Sequence, residues 1–151
     1  MISRRALLSA TTAVAVFSAL ASGACTPGKK ATRCAHCGMK LDPESAWRSE
    51  LNGENADHPG EPKRYDTPRC AFTEWRKAPT KASAIRLLDY YDRAPRDGTE
   101  LRFVVGSDVL GPMGPDLVPV TPERVGKFVK DHGGRALALA DVTLQLLEDP
   151  K

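Results

Sequence analysis

Two cysteines, a histidine and a methionine crowd into CAHCGM, residues 34–39. Cys34 and Cys37 have the spacing of a zinc knuckle, a redox disulfide or a softer metal site. His36 and Met39 add an imidazole and a thioether to the same stretch. Haem attachment is excluded, because it needs a histidine directly after the second cysteine and Gly38 stands there. A thioredoxin-like pair opens a helix after a core strand, whereas this one precedes Gly38 and Asp42-Pro43, a turn signal. Zinc is a serious competitor: Cys70 falls in the first turn of an expected helix, where a third ligand can enter. The fourth zinc ligand is not obvious, with Asp66 and His36 as candidates. Monovalent copper is the other metal reading, since thiolate and thioether sulfur select Cu(I) and imidazole is a competent partner.

The methionines favour copper. Apart from Met1 the chain has only Met39 and Met113, both in glycine-flanked turns, CGMK and GPMGP. A packing methionine belongs on an apolar strand or helix face, not between Pro112 and Gly114. A thioether also cannot be lost to a disulfide, although it can be oxidised to the sulfoxide. His132, beside Gly133-Gly134, is either a ligand or a helix-end histidine facing the dipole. His58 lies in a polar loop corresponding to the one that carries Met113, and is a weaker candidate. Cys70 and His36 are likewise secondary to Cys34, Cys37, Met39, Met113 and His132.

These residues need elements to hold them, and the chain supplies one pattern twice. The first half reads as strand 46–51, strand 63–65, a helix from Thr67-Pro68 to about Lys77, and strand 84–90. The second reads as strand 101–105, a turn-rich loop 106–115, strand 117–120, a helix from Thr121-Pro122 to the HGG segment, and strand 135–140. Threonine can cap a helix and proline is tolerated at its first position. Two Thr-Pro starts, at 67 and 121, in one repeated order indicate a duplication. The expected fold is α+β: two related strand-strand-helix-strand units, 33–90 and 91–151, packed together across a hinge at 91–100. Each is too small to stabilise itself by apolar burial alone.

The N-terminus bears on compartment. Basic Met1–Arg5, apolar Ala6–Ala21 and small Ser22-Gly23-Ala24 follow the grammar of an export signal over residues 1–24. Arg4-Arg5 fits a twin-arginine signal as well as an ordinary one. Cys25 is a candidate lipidation site, plain cleavage after Ala24 being the alternative, and residues 25–32 read as a tether. Removing the signal takes two arginines with it, so the formal charge falls from +3 to +1. No basic run points to nucleic acid. Three body cysteines in an oxidising compartment cannot all pair internally, which favours metal or reactive thiol over a disulfide framework.

CAHCGMKLDPESA followed by YDTPRCAFTEW resembles the small metal-binding modules of the YHS/TRASH kind, which usually carry a cysteine where Asp66 stands. VVGSDVLGPMGPDLVPV followed by FVKDHGG resembles NosL, the accessory protein of nitrous oxide reductase, and the resemblance covers essentially the whole mature chain. It implies a periplasmic, usually lipid-anchored protein that carries Cu(I) to nitrous oxide reductase without catalytic turnover. Met113 falls on the methionine of the GPMG segment and His132 on the histidine of HGG, Cys37 and Met39 fall in the CGM segment, and Cys34 completes the pair. A homodimer is compatible with this reading. Alternatives of other classes are a zinc-braced interaction module, a thiol oxidoreductase and a general periplasmic copper-tolerance protein.

Overall fold

Both expected helices begin where the Thr-Pro pairs stand. In the computed structural model, which describes residues 33–53, 59–79 and 82–150, α1 spans Pro68–Lys77 and α2 spans Pro122–His132. The expected export signal 1–24, the expected tether 25–32 with Cys25, and His58 lie outside the described residues. Around α1 run β1 (Ser49–Gly53), β2 (Lys63–Tyr65) and β3 (Ala82–Leu88), and around α2 run β5 (Arg102–Val105), β8 (Val118–Val120) and β9 (Arg135–Leu137). In each half the first strand is central and antiparallel to both neighbours: β2-β1-β3 in one, β8-β5-β9 in the other. The protein is α+β, and the repeated order read from the sequence is the order of its elements.

The structure corrects the sequence at four places. The expected hinge 91–100 contains β4 (Pro95–Asp97), which pairs with β3 and widens the first sheet to four strands. A tight turn on Asp89 makes this possible, with Arg93 at φ 60 and Asp89 N–H bonded to the Ala94 carbonyl. The first strand starts later than expected, at Ser49, because Trp47 packs into an apolar cluster instead. Loop 106–115 carries a small hairpin, β6 (Leu110–Gly111) and β7 (Gly114–Pro115), with Pro112 and Met113 as its two-residue turn. The last strand stops at Leu137, and a short helix α3 (Leu144–Glu148) follows. Arg69 on α1 anchors α3, its Nε donating to the Leu147 carbonyl (2.7 Å) and its Nη2 to that of Glu148 (3.0 Å). Arg76, two turns along the same face of α1, holds the segment before α3, from Nε to the Val142 carbonyl (2.7 Å) and from Nη2 to that of Leu139.

The two halves share one core, and the described residues form a single compact unit. Leu51, Tyr65, Phe72, Ile85 and Leu87 of the first half meet Leu101, Phe103, Val105, Leu117, Val142 and Leu147 of the second. Phe72 and Phe103 touch edge to face, centroids 4.8 Å apart. Alternation along β5 sends Val104 to the opposite side, where it packs with Val118, Val120 and Phe128. Each half also holds the start of the other's helix. Asp116 Oδ1 accepts from Arg69 N–H in the first turn of α1 (2.9 Å), and Asp89 Oδ2 accepts from Thr121 N–H at the start of α2 (2.8 Å). Thr67 caps α1 through its hydroxyl, which accepts from Cys70 N–H (3.2 Å), but Thr121 makes no such side-chain bond. Asp89 takes over part of that task.

Asp116 gives a pH prediction. Its side chain is buried, and burial pushes its carboxyl up to about 6 against the Leu117 amide, the Thr67 hydroxyl and the Arg69 amide, which favour the charged form. An unfolded aspartate titrates near ~3.9. Between these values the folded chain binds more protons than the unfolded one, so stability falls as pH rises from about 4 to about 6, by roughly 3 kcal/mol in all. Urea melts of wild type and Asp116→Asn across that range should show the slope in wild type and a flatter line in the variant.

Candidate metal centre

Cys34 and Cys37 lie in a tight turn closed by a bridge between Arg33 and Lys40. Cys34 N–H donates to the Met39 carbonyl (2.8 Å), and Gly38 N–H to that of Cys34 (3.0 Å). Gly38 sits at φ 75, which a side chain would strain. Ala35 N–H ties the turn to the Arg64 carbonyl of β2 (3.0 Å). The first turn of α1 supplies Cys70. The sulfurs of Cys34, Cys37 and Cys70 all lie within 4.8 Å of one another, none in a disulfide. Cys34 and Cys70 are buried and Cys37 is half-buried, so the cluster opens to solvent on one side only.

Hydrogen bonds sort the protons among the thiols. The Cys70 side chain, followed by the backbone N–H groups of Cys37, Asp66 and His36, bonds to the Cys34 sulfur and holds that thiol well below its ordinary range. The same contact and burial push Cys70 far upward, so the pair keeps one proton on Cys70. Burial also raises Cys37, whose sulfur accepts from Met39 N–H. Amides at the second and third residues after the first cysteine, and at the second after the other, make a cradle shaped for thiolate. Asp66 adjoins it: burial, then the Cys34 charge, raise its carboxyl, and its Oδ2 is buried without a hydrogen-bond partner.

The remaining sequence candidates are placed elsewhere. His36 turns to α1, Nδ1 lying 2.8 Å from Glu74 Oε1, and is not in the cluster. Met39 shares the cysteine turn, its residue 41% exposed. Met113 is 47% exposed at the β6–β7 turn. His132 ends α2 with its ring against Phe128 and Tyr90, and its Nδ1 is 2.9 Å from Asp108 Oδ1. Asp108 N–H in turn donates to the His132 carbonyl (3.0 Å), so His132 is tied to the root of the loop that bears Met113. Nδ1 is thus engaged by a carboxylate. No local spacing signalled Asp108. In the HGG segment Gly133 at φ 72 ends the helix, while a Cβ on Gly134 would lie 2.5 Å from the Val105 carbonyl oxygen. That second glycine serves the close approach of α2's end to β5.

The sequence profile of the NosL family matches residues 26–147. The chain belongs to the NosL family. Among solved NosL structures, that of the copper chaperone NosL from Shewanella denitrificans is 19% identical, with a TM-score of 0.64 over 75% of this chain and 90% of that one. It shares the fold. The solution structure of apo-NosL from Achromobacter cycloclastes is 25% identical over 66% of this chain and 87% of that one, with a TM-score of 0.46. No curated protein sequence matches the chain.

Proposed function

We propose that this NosL-family protein carries Cu(I) on the surface of its second half and hands it, after export, to a periplasmic copper enzyme, nitrous oxide reductase. The observation that carries the reading is the exposed Met113 thioether at a hairpin turn whose loop is rooted on the Asp108–His132 pair. Thioether and imidazole are donors that Cu(I) accepts, and neither is consumed by disulfide formation. A cargo ion must enter and leave, so exposed neutral donors suit it better than a sulfur cluster buried on most sides. An incoming ligand from the client can bind before Met113 and His132 let go. Copper and a proton compete for the imidazole, so affinity falls as the medium becomes acidic. The basic, apolar and small-residue order of residues 1–24 supports export, and Cys25 is the residue a lipid anchor would use. The protein acts as a carrier without turnover.

The test is anaerobic NMR of the reduced full chain. One equivalent of Cu(I) should shift the Met113 methyl and the His132 ring signals together. Met113→Ala or His132→Ala should weaken the signal-derived affinity at least about tenfold, and Asp108→Asn, which frees the ring, about tenfold. Copper transfer to apo nitrous oxide reductase should fail with Met113→Ala. If Cu(I) moves only cysteine signals, the carrier surface is wrongly assigned; if transfer proceeds equally to any copper enzyme, the client is wrong.

A further inference from the structure

We propose that the groove beside the β6–β7 hairpin is a docking site for the copper client, filled by an extended client segment that presents an apolar side chain next to a carboxylate. The copper-carrier reading supplies who the client is, and the groove supplies what that client must present. Trp47, Tyr90, Val109, Leu110 and Val118 line a groove of about 220 Å³, and Arg93 is the only charged residue of its lining. A cavity of about 150 Å³ takes one benzene ring, and sites for drug-sized ligands begin near about 300 Å³. The groove therefore suits one bulky side chain, not a whole cofactor or a lipid chain. Four large apolar side chains are exposed among the described residues, and Leu110 and Met113 of these share the hairpin. Such clustering marks an interaction surface. Tryptophan, tyrosine and arginine, the residue types that anchor interfaces, meet in the same groove.

Arg93 supplies the charge. Asp92 beside it is already paired with Arg96 and Arg124, and among the described residues Arg93 is in no ion pair. It is also the only described residue other than glycine at positive φ, which is disfavoured for any side chain with a Cβ. Glycine would ease the backbone there, so the arginine side chain is what the position gains. An open cation on an apolar groove is complemented by a carboxylate beside an apolar side chain. Position ties the groove to the copper surface. Leu110 and Met113 are three residues apart, so their Cα atoms lie at most about 11 Å from each other. Tyr90, a wall of the groove, stands edge to face with the His132 ring, centroids 5.8 Å apart. The hairpin rests on Trp47, whose Cε3 would lie 3.4 Å from a Cβ on Gly111. A client held in the groove is thus beside the thioether and imidazole from which it takes the ion.

The experiment uses the full chain in two arms. In the first, acetyl-Ala-Leu-Glu-Ala-amide, its Gln counterpart and octanoate are titrated separately and followed by NMR. The Glu peptide should shift the Trp47 indole, Leu110 and Val118 signals and bind about three- to fivefold more tightly than the Gln peptide at low salt. Arg93→Gly, which suits the backbone, should abolish that difference without lowering Tm. In the second arm, the Cu(I)-loaded chain is mixed with increasing apo nitrous oxide reductase. Arg93→Gly and Leu110→Ala should each raise the client concentration for half-maximal transfer by about three- to tenfold. Cu(I) affinity against a chromophoric chelator and the transfer rate at saturation should stay as in wild type. Equal binding of the Glu and Gln peptides, absence of the Trp47 and Leu110 shifts, or tighter binding of octanoate overturns the proposed occupant. Transfer indifferent to both variants overturns docking at the groove. Peptide binding as expected, with no transfer from wild type, supports the groove's chemistry and overturns the client named above.

Discussion

Asp89→Ala should lower stability by about 4 kcal/mol in urea melts, close to what a domain of this size has to lose. The carboxylate is fully buried at the end of β3. Oδ1 accepts from Tyr91 N–H (2.9 Å) and Asp92 N–H (3.2 Å), forming the turn that launches β4, and Oδ2 accepts from Thr121 N–H (2.8 Å). Bonds to a charged acceptor contribute about 1.5–3 kcal/mol each, and truncation leaves all three donors without that acceptor. Asp89→Asn retains one carbonyl oxygen and should cost about half as much. Arg124, whose Nη1 lies 3.5 Å from Oδ1, is a minor partner because its side chain is 44% exposed. Arg124→Ala should cost under about 1 kcal/mol. A fall of less than about 1 kcal/mol for Asp89→Ala would mean that the two halves do not depend on this carboxylate.

Phe103→Ala should cost a similar amount, about 4 kcal/mol, for a different reason. The ring is fully buried on β5, edge to face with Phe72 of the other half, and a buried phenylalanine cut to alanine loses its transfer energy and leaves a cavity. The shape of the transition matters as much as its position. Because the cluster around Phe103 draws on both halves, wild type and variant should each unfold in one step followed alike by tryptophan fluorescence and circular dichroism. Two steps, with only the later half shifted, would show the halves to be independent.

The local parts of this architecture were legible because they are written in neighbouring residues. Proline just inside the helix and threonine before it mark both helix starts, and the repetition of that pair points to the repeated element order. CAHCGM read correctly as a turn, since glycine after the second cysteine takes a positive φ. Convergence was not legible. Cys70 is the exception: its place in the first turn of the expected helix marked it as a third ligand, and folding brings its sulfur to the turn past β1 and β2. Asp116 and Asp89 reach helix starts 47 and 32 residues away, and aspartates in loops carry no sign of their destination. The hairpin bearing Met113 has strands of two residues, too short for any alternation to register. α3 was passed over because only one turn of it exists, and its position is fixed by the arginines of α1 rather than by its own propensity.

Those arginines bear on how the chain is made. Arg69 must wait for Leu147, 78 residues later, and Arg76 for Val142, 66 residues later. Asp89 waits for Thr121 in the same way. During translation α1 and its sheet therefore emerge well before the segments that complete them, and no domain-by-domain folding of the first half is available to shelter it. The fold closes as one late event once residues 139–148 have left the ribosome. Until then the nascent chain stays accessible to chaperones along its whole exposed length.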